Sequence, residues 1–195
     1  NSGFDILGNF QNLIPYRDDV LLNLVTCGLI FFGGIGFLVI REMWSKRLHW
    51  KKFSMHAKVV LSMSLILIVV GTLLLKATED VTWLGALFHS VSARTAGFST
   101  YPLGNFSNAG LLVLTVLMFV GASPGSTGGG IKTSTFLVLI KGIKSAATNQ
   151  SEKAFRYAIP TTAFRKAAVI TLLAAAVVVG GTWIFVVLEP DVTLM

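Results

Sequence analysis

Four long apolar runs constrain this chain more than anything else in it. Val20–Ile40, Ala57–Lys76, Ala109–Val120 continuing into Phe136–Ile140, and Ala167–Leu188 each hold apolar material on the scale of the about 20 residues needed to cross a bilayer. Composition agrees: 53% of the residues are hydrophobic and 13% charged, against about 25% charge in soluble domains. The chain is therefore read as an all-α integral membrane protein whose first partner is membrane lipid. Asn1 is not an initiator methionine, and no basic segment, short apolar core and small-residue cleavage site precede the first run. The sequence is accordingly expected to begin inside a longer protein. Its one cysteine, Cys27, lies within the first run, which excludes a disulfide and leaves it as small apolar filler.

The charges give the runs a direction. Twelve of the sixteen basic residues fall in two blocks, Arg41 to Lys58 and Lys141 to Lys166, while seven of the nine acids fall in the other polar segments. Short loops rich in Lys and Arg stay in the cytoplasm. The four runs then go outside to inside, back out, in, and out again, with every segment consistent. The net charge of +7 follows from this asymmetry and from contact with anionic inner-leaflet lipid, so nucleic acid is not expected as a partner.

One phrase occurs twice. Gly3-Phe4 followed by Leu7-Gly8-Asn9-Phe10 matches Gly97-Phe98 followed by Leu103-Gly104-Asn105-Phe106, with two extra residues near Tyr101-Pro102. Each copy leads into an apolar run, and the runs match again at Ile30–Gly34 with Leu117–Gly121, then at Phe37–Ile40 with Phe136–Ile140. The chain thus holds two copies of one unit, the first lacking its beginning. In the second copy, Val81–Ser92 carries Trp83, Leu84, Leu87, Phe88 and Val91 at helical spacing but covers only about 18 Å. Both of its ends must lie outside, so it dips into the membrane and returns through Arg94-Thr95-Ala96-Gly97-Phe98. Non-helical backbone at that depth is tolerated only when buried in protein or lining a watery cavity. Glycine permits the backbone turns that aim successive carbonyls at one axis, where they can replace the hydration shell of a cation.

The order span, re-entrant helix, Thr-Ala-Gly-Phe phrase, span resembles the Trk/Ktr/HKT superfamily of potassium transporters. Ser92-Ala93-Arg94-Thr95-Ala96-Gly97-Phe98 together with Asn1-Ser2-Gly3-Phe4 is most similar to the membrane subunit of the bacterial Ktr type. The resemblance implies four such units around one pore, of which this chain would carry the end of the second (1–41), all of the third and the first span of the fourth (167–188), joined by basic cytoplasmic linkers at 42–56 and 146–166. Within the third, 57–145, it implies a span at 57–76, a pore helix at 81–92, a filter at 94–98 and a broken span at 107–140. Asn1, Ser2, Gly3 and Phe4 and Thr95, Ala96, Gly97 and Phe98 would be two of four filter segments. It further implies a multi-pass protein of a bacterial plasma membrane that takes up K⁺, with Na⁺ dependence and preference left open. Partners would be a second copy, as a homodimer, and a cytosolic ring of regulatory subunits that alone would bind nucleotide, with no resident metal beyond the transported ion.

Ser107 to Ile140 would measure about 51 Å as one helix, against a hydrocarbon core of about 30 Å. Gly121-Ala122-Ser123-Pro124-Gly125-Ser126-Thr127-Gly128-Gly129-Gly130 supplies the break: glycine costs about 1 kcal/mol and proline about 3 kcal/mol in a helix interior. The same backbone rule makes this loop face the pore, and the resemblance makes it a gate. A phosphate-binding loop is the rival reading, but Ile131 separates Gly130 from Lys132 where that motif needs lysine next. Lys132 at membrane depth is expected either to bond loop carbonyls or repel cations, or to snorkel to the interface. Arg94 is expected to pin carbonyls behind the filter, as filter support, and His89 to pack or hydrogen-bond. Glu42 and Glu152 read as solvated. No nucleophile–base set and no paired intramembrane carboxylates support an enzyme. The competing class, a polytopic membrane enzyme or scaffold, would need its chemistry elsewhere in a longer protein.

Overall fold

The computed structural model describes residues 3, 5, 8, 11–47, 49–148, 153, 154, 157, 158 and 160–189. The chain forms two compact units, Asn1–Ser134 and Thr135–Met195. In the first, α1 (Val20–Ile35) and α2 (Phe37–Ser45) are followed by α3 (Met55–Thr78), the short α4 (Trp83–Ser92) and α5 (Asn108–Phe119). Helix α6 (Thr133–Thr148) begins at the end of this unit and continues into the second. The second also holds two antiparallel two-residue strands, β1 (Lys153–Ala154) and β2 (Tyr157–Ala158), and α7 (Thr161–Leu188). That strand pair lies in a stretch read from sequence as a plain linker.

Helix starts are written locally. Asp19, Ser54, Thr82 and Ser107 are the N-caps of α1, α3, α4 and α5, their side-chain oxygens accepting from Leu22, Ala57, Gly85 and Gly110 N–H. Each such cap is worth about 1 kcal/mol. Carboxylates brace two of these caps from a distance in sequence. Glu79 accepts from Ser107 N–H at 3.0 Å and Ser107 Oγ at 2.5 Å, closing the segment around α4. Glu42 accepts from Ser54 N–H at 2.7 Å and Ser54 Oγ at 2.6 Å and pairs with Lys46, its side chain only 16% exposed. The expectation of a solvated Glu42 is thus corrected: its charge holds the turn between α2 and α3. Glu152 lies outside the described residues.

Lengths decide what can cross a membrane. Helices α3, with 24 residues, and α7 are long and apolar enough to do so. The 12 residues of α5 are not, and the 10 of α4 reach about 15 Å. The run Val20–Ile40 folds as two helices bent by 99° at Gly36. The reason is Gly33-Gly34-Ile35-Gly36, which ends at a glycine with φ +85°, a conformation a helix cannot contain.

Among lipid tails apolar burial drives little helix association, so close packing of small residues must hold α4 to α3. Gly71 provides it. A Cβ there would come 2.5 Å from Ser90 Oγ, and that hydroxyl donates to the Ile68 carbonyl at 2.9 Å. On its other side α4 packs on α1, where Phe88, fully buried, and Val91 share a cluster with Cys27 and Ile30.

Candidate functional site

The C-terminus of α4 unwinds into the Thr95–Phe98 phrase. Ala96 and Gly97 N–H both donate to the Ser92 carbonyl, at 2.9 and 3.2 Å, and Ser92 Oγ donates to the Phe98 carbonyl at 2.5 Å. Serine 92 therefore clasps both ends of the turn. Within it, Thr95 has φ +94° and Gly97 φ +86°. Glycine accepts this freely, whereas a β-branched threonine there is strained by about 1–3 kcal/mol and persists only where its surroundings insist on it.

Of the first copy of the phrase, Gly3 is described; Asn1, Ser2 and Phe4 lie outside the described residues. Gly3 has φ +62°, and a Cβ on it would be 2.8 Å from the Ala96 oxygen and 2.9 Å from Gly97 Cα. The two phrases therefore meet backbone to backbone. Just beyond them Leu13 N–H donates to the Ser99 carbonyl at 3.1 Å and Ser99 N–H to Asn12 Oδ1 at 3.2 Å. Asn12 itself sits at φ +52°, so the copies are stitched together outside the glycines as well. Beside the second phrase lies a cavity of about 450 Å³, walled among others by His89, Thr95, Gly97, Leu114 and Met118.

Directly against this turn lies the glycine-rich stretch. A Cβ on Gly128 would run into the Thr95 hydroxyl, so only a glycine fits there. The loop Gly121–Lys132 is not loose. Ala122 N–H donates to the Gly129 carbonyl at 3.1 Å, Ile131 N–H to Phe119 at 3.0 Å and Thr133 N–H to Ala122 at 3.4 Å, folding it back on the end of α5. Gly121 and Gly130 cross so closely that a Cβ on Gly130 would lie 2.8 Å from Gly121 Cα. Ser126 caps its own turn at Pro124 and Gly125, its Oγ donating to the Ser123 carbonyl at 2.6 Å, and Ser123 Oγ and Thr133 Oγ1 are 3.0 Å apart. Lys132 Nζ donates to the Gly128 carbonyl at 2.7 Å, placing its charge on the loop beneath Thr95.

Two further residues hold the turn from behind. Arg94, 6% exposed, donates through Nη1 to the Ser64 carbonyl at 2.9 Å and through Nη2 to Ser64 Oγ at 3.4 Å. The carbonyl it pins thus belongs to α3 and not to the phrase itself, so it anchors the turn through its neighbour in sequence. His89 is buried with its ring 5.2 Å from that of Phe106 and 6.1 Å from that of Tyr101. It packs.

Sequence reasoning missed the seat of the loop. Ser123 N–H donates to the Gly34 carbonyl at 3.0 Å, Thr127 N–H and Oγ1 approach the Gly33 carbonyl at 3.4 Å, and Phe37 N–H donates to the Gly125 carbonyl at 3.2 Å. The glycine cluster Gly33–Gly36, which the repeat alignment sets near Gly121, was the available signal.

Residues 59–189, about two thirds of the chain, match the TrkH family of cation transport proteins. The chain belongs to that family. It is 38% identical over 71% of its length to Ktr system potassium uptake protein B of Vibrio alginolyticus, covering 33% of that protein. It is 35% identical over 97% of its length to Ktr system potassium uptake protein D of Bacillus subtilis, covering 45% of it. It is 36% identical over 72% to the potassium/sodium uptake protein NtpJ of Enterococcus hirae, covering 33%. The crystal structure of the potassium transporter TrkH from Vibrio parahaemolyticus superposes with a TM-score of 0.60 at 23% identity, over 76% of this chain and 35% of that one. That likeness establishes the membrane-transporter fold. The chain spans a third to under a half of the length of these relatives. Family membership places it among the cation transport proteins of the TrkH family.

Proposed function

We propose that this chain forms part of a channel-like path for K⁺ uptake, with carbonyls of Gly3 and of Thr95, Ala96 and Gly97 coordinating the ion. Asn1, Ser2, Phe4 and Phe98 complete the two phrases. The observation that carries the reading is the backbone-to-backbone meeting of two glycine turns, each at positive φ, with a strained threonine in one of them. Such a turn keeps carbonyls free to face an ion that has shed its water. The loop from Gly121 to Lys132, lying against Thr95, is the gate: it occupies the space an ion leaving the turn must cross, and the Lys132 charge adds electrostatic repulsion. K⁺ is the transported ion, and Na⁺, which the name of the Enterococcus relative includes, is the competing or coupled one. A cytosolic nucleotide-binding ring docking on a basic segment fits the charge pattern of the chain, and a homodimer is what the resemblance to the Ktr type implies.

The deciding experiment is K⁺ uptake by the full-length protein in a cell lacking its own K⁺ uptake systems. Growth and uptake at low K⁺ that are lost on replacing Gly97 support the reading. Absence of uptake by a normally inserted protein would overturn it, in favour of a membrane scaffold.

A further inference from the structure

Two interruptions in the fold complete one another. In an unbroken helix running from α1 into α2, Phe37 N–H would bond to the Gly33 carbonyl and Leu38 N–H to the Gly34 carbonyl. The bend at Gly36 removes this geometry. Gly33 instead meets Thr127, Gly34 accepts from Ser123 N–H at 3.0 Å, and Phe37 N–H donates to Gly125 at 3.2 Å. The donor and acceptors released by the broken helix are the ones the broken α5–α6 span uses for its loop. At the point of contact there is no room for a side chain: a Cβ on Gly36 would be 2.5 Å from the Pro124 oxygen.

In the low-dielectric interior of a membrane protein an unpaired backbone group is costly, so neither break can let go of the other without replacing those bonds. The elbow has a replacement at hand. Straightening α1 and α2 re-forms the Phe37–Gly33 and Leu38–Gly34 helical pairs as the loop departs.

We infer that the α1–α2 elbow at Gly36 is the positioning element of the glycine-rich loop, bent when the loop is seated and straight when it is released. The elbow is a bistable part with two hydrogen-bonded states, which is what a switch between loop positions requires. Because α2 leads directly into the basic segment held by Glu42 and Ser54, movement there would bias the loop through the elbow. This inference rests on the proposal that the loop gates the path, but its test reads the elbow's geometry, with flux measured separately.

Spin labels at Leu21 of α1 and Trp44 of α2, both exposed, report the bend in the full-length protein in lipid vesicles. From the helical rise, straightening lengthens their separation by about 10 Å. The wild type should show the short distance. Deleting Gly125–Gly130 should convert most of the population to the long one. Gly36→Ala should move it in the same direction by about tenfold in the population ratio, because alanine is strained at φ +85° and favoured in a continuous helix. Thr127→Val, which keeps the loop backbone, should give a smaller shift of the same sign, and serves if Gly36→Ala does not insert. Gly28→Ala, about two turns further up α1 with open space for its methyl, should give none. A short distance retained by the loop deletion would overturn the inference, since the bend would then belong to the helix alone. A longer distance without a rise in flux would leave the elbow assignment standing and remove the gate.

Discussion

Gly3 and Gly97 approach so closely that a Cβ on the first would lie 2.9 Å from the Cα of the second, while one on the second would still stand 3.5 Å from Gly3 Cα. The asymmetry ranks their substitutions. Gly3→Ala meets both strain at φ +62° and a backbone collision, whereas Gly97→Ala meets strain at φ +86° with ordinary contact. Gly3→Ala should be the more damaging to inserted protein. Gly97→Ser should insert, weaken apparent K⁺ affinity by about tenfold or more and narrow K⁺/Na⁺ discrimination. Uptake kinetics for both ions check it, and unchanged kinetics at normal expression would sink the filter assignment.

Removing Gly125–Gly130 should raise K⁺ flux in reconstituted vesicles and make it largely independent of any cytosolic regulator. K⁺/Na⁺ preference should stay, because Thr95–Phe98 is held by Ser92 and not by the loop. Lower flux from a deletion that inserts normally would mean that the loop supports the conducting structure.

Cysteines introduced at Ser45 and Thr78 in a Cys27→Ser background should be labelled by impermeant reagents from opposite faces, Ser45 from the cytoplasm and Thr78 from outside. These sites end α2 and α3. Labelling from one face would contradict the spans drawn from the basic blocks.

Glu42 gives a pH test. Burial works to raise its pKa, but the Lys46 side chain, the Ser54 hydroxyl and N–H, and the Lys46 charge outweigh it, so it falls from 4.5 to about 2. A carboxylate depressed in the folded state stabilises above its unfolded pKa and loses that contribution as pH falls through the folded value. Replacing Glu42 with Gln should therefore lower the melting temperature at pH 7, and the gap to wild type should shrink between about pH 4.5 and pH 2. A gap that does not depend on pH would assign the effect to packing.

Arg94 and Ser64 are a pair by geometry. Arg94→Ala should lose most inserted protein, because it removes the buried charged donor that ties the turn to α3, a bond worth about 1.5–3 kcal/mol. Ser64→Ala removes only the longer bond and should be nearly silent in a thermal-shift measurement.

What the sequence determined by itself was local and periodic. Apolar runs near bilayer length, the short helix at Trp83–Ser92 and the break at Gly121–Gly130 all follow from residues close together in the chain, through helical period and the cost of Gly and Pro. The duplicated Gly-Phe phrase showed that two such turns exist. What only the tertiary structure decided was which backbone groups complete each other. Gly36 reads as one more glycine in an apolar run, and its 99° bend becomes necessary only when Gly33, Gly34 and Phe37 are seen to bond the loop around Gly125, some 90 residues away. Glu42 reads as a loop charge until Ser54 folds back onto it, and Arg94 points to α3 for the same reason. Hydrogen-bond partners distant in sequence leave no periodic trace, because they are chosen by where the chain returns and not by what lies beside them.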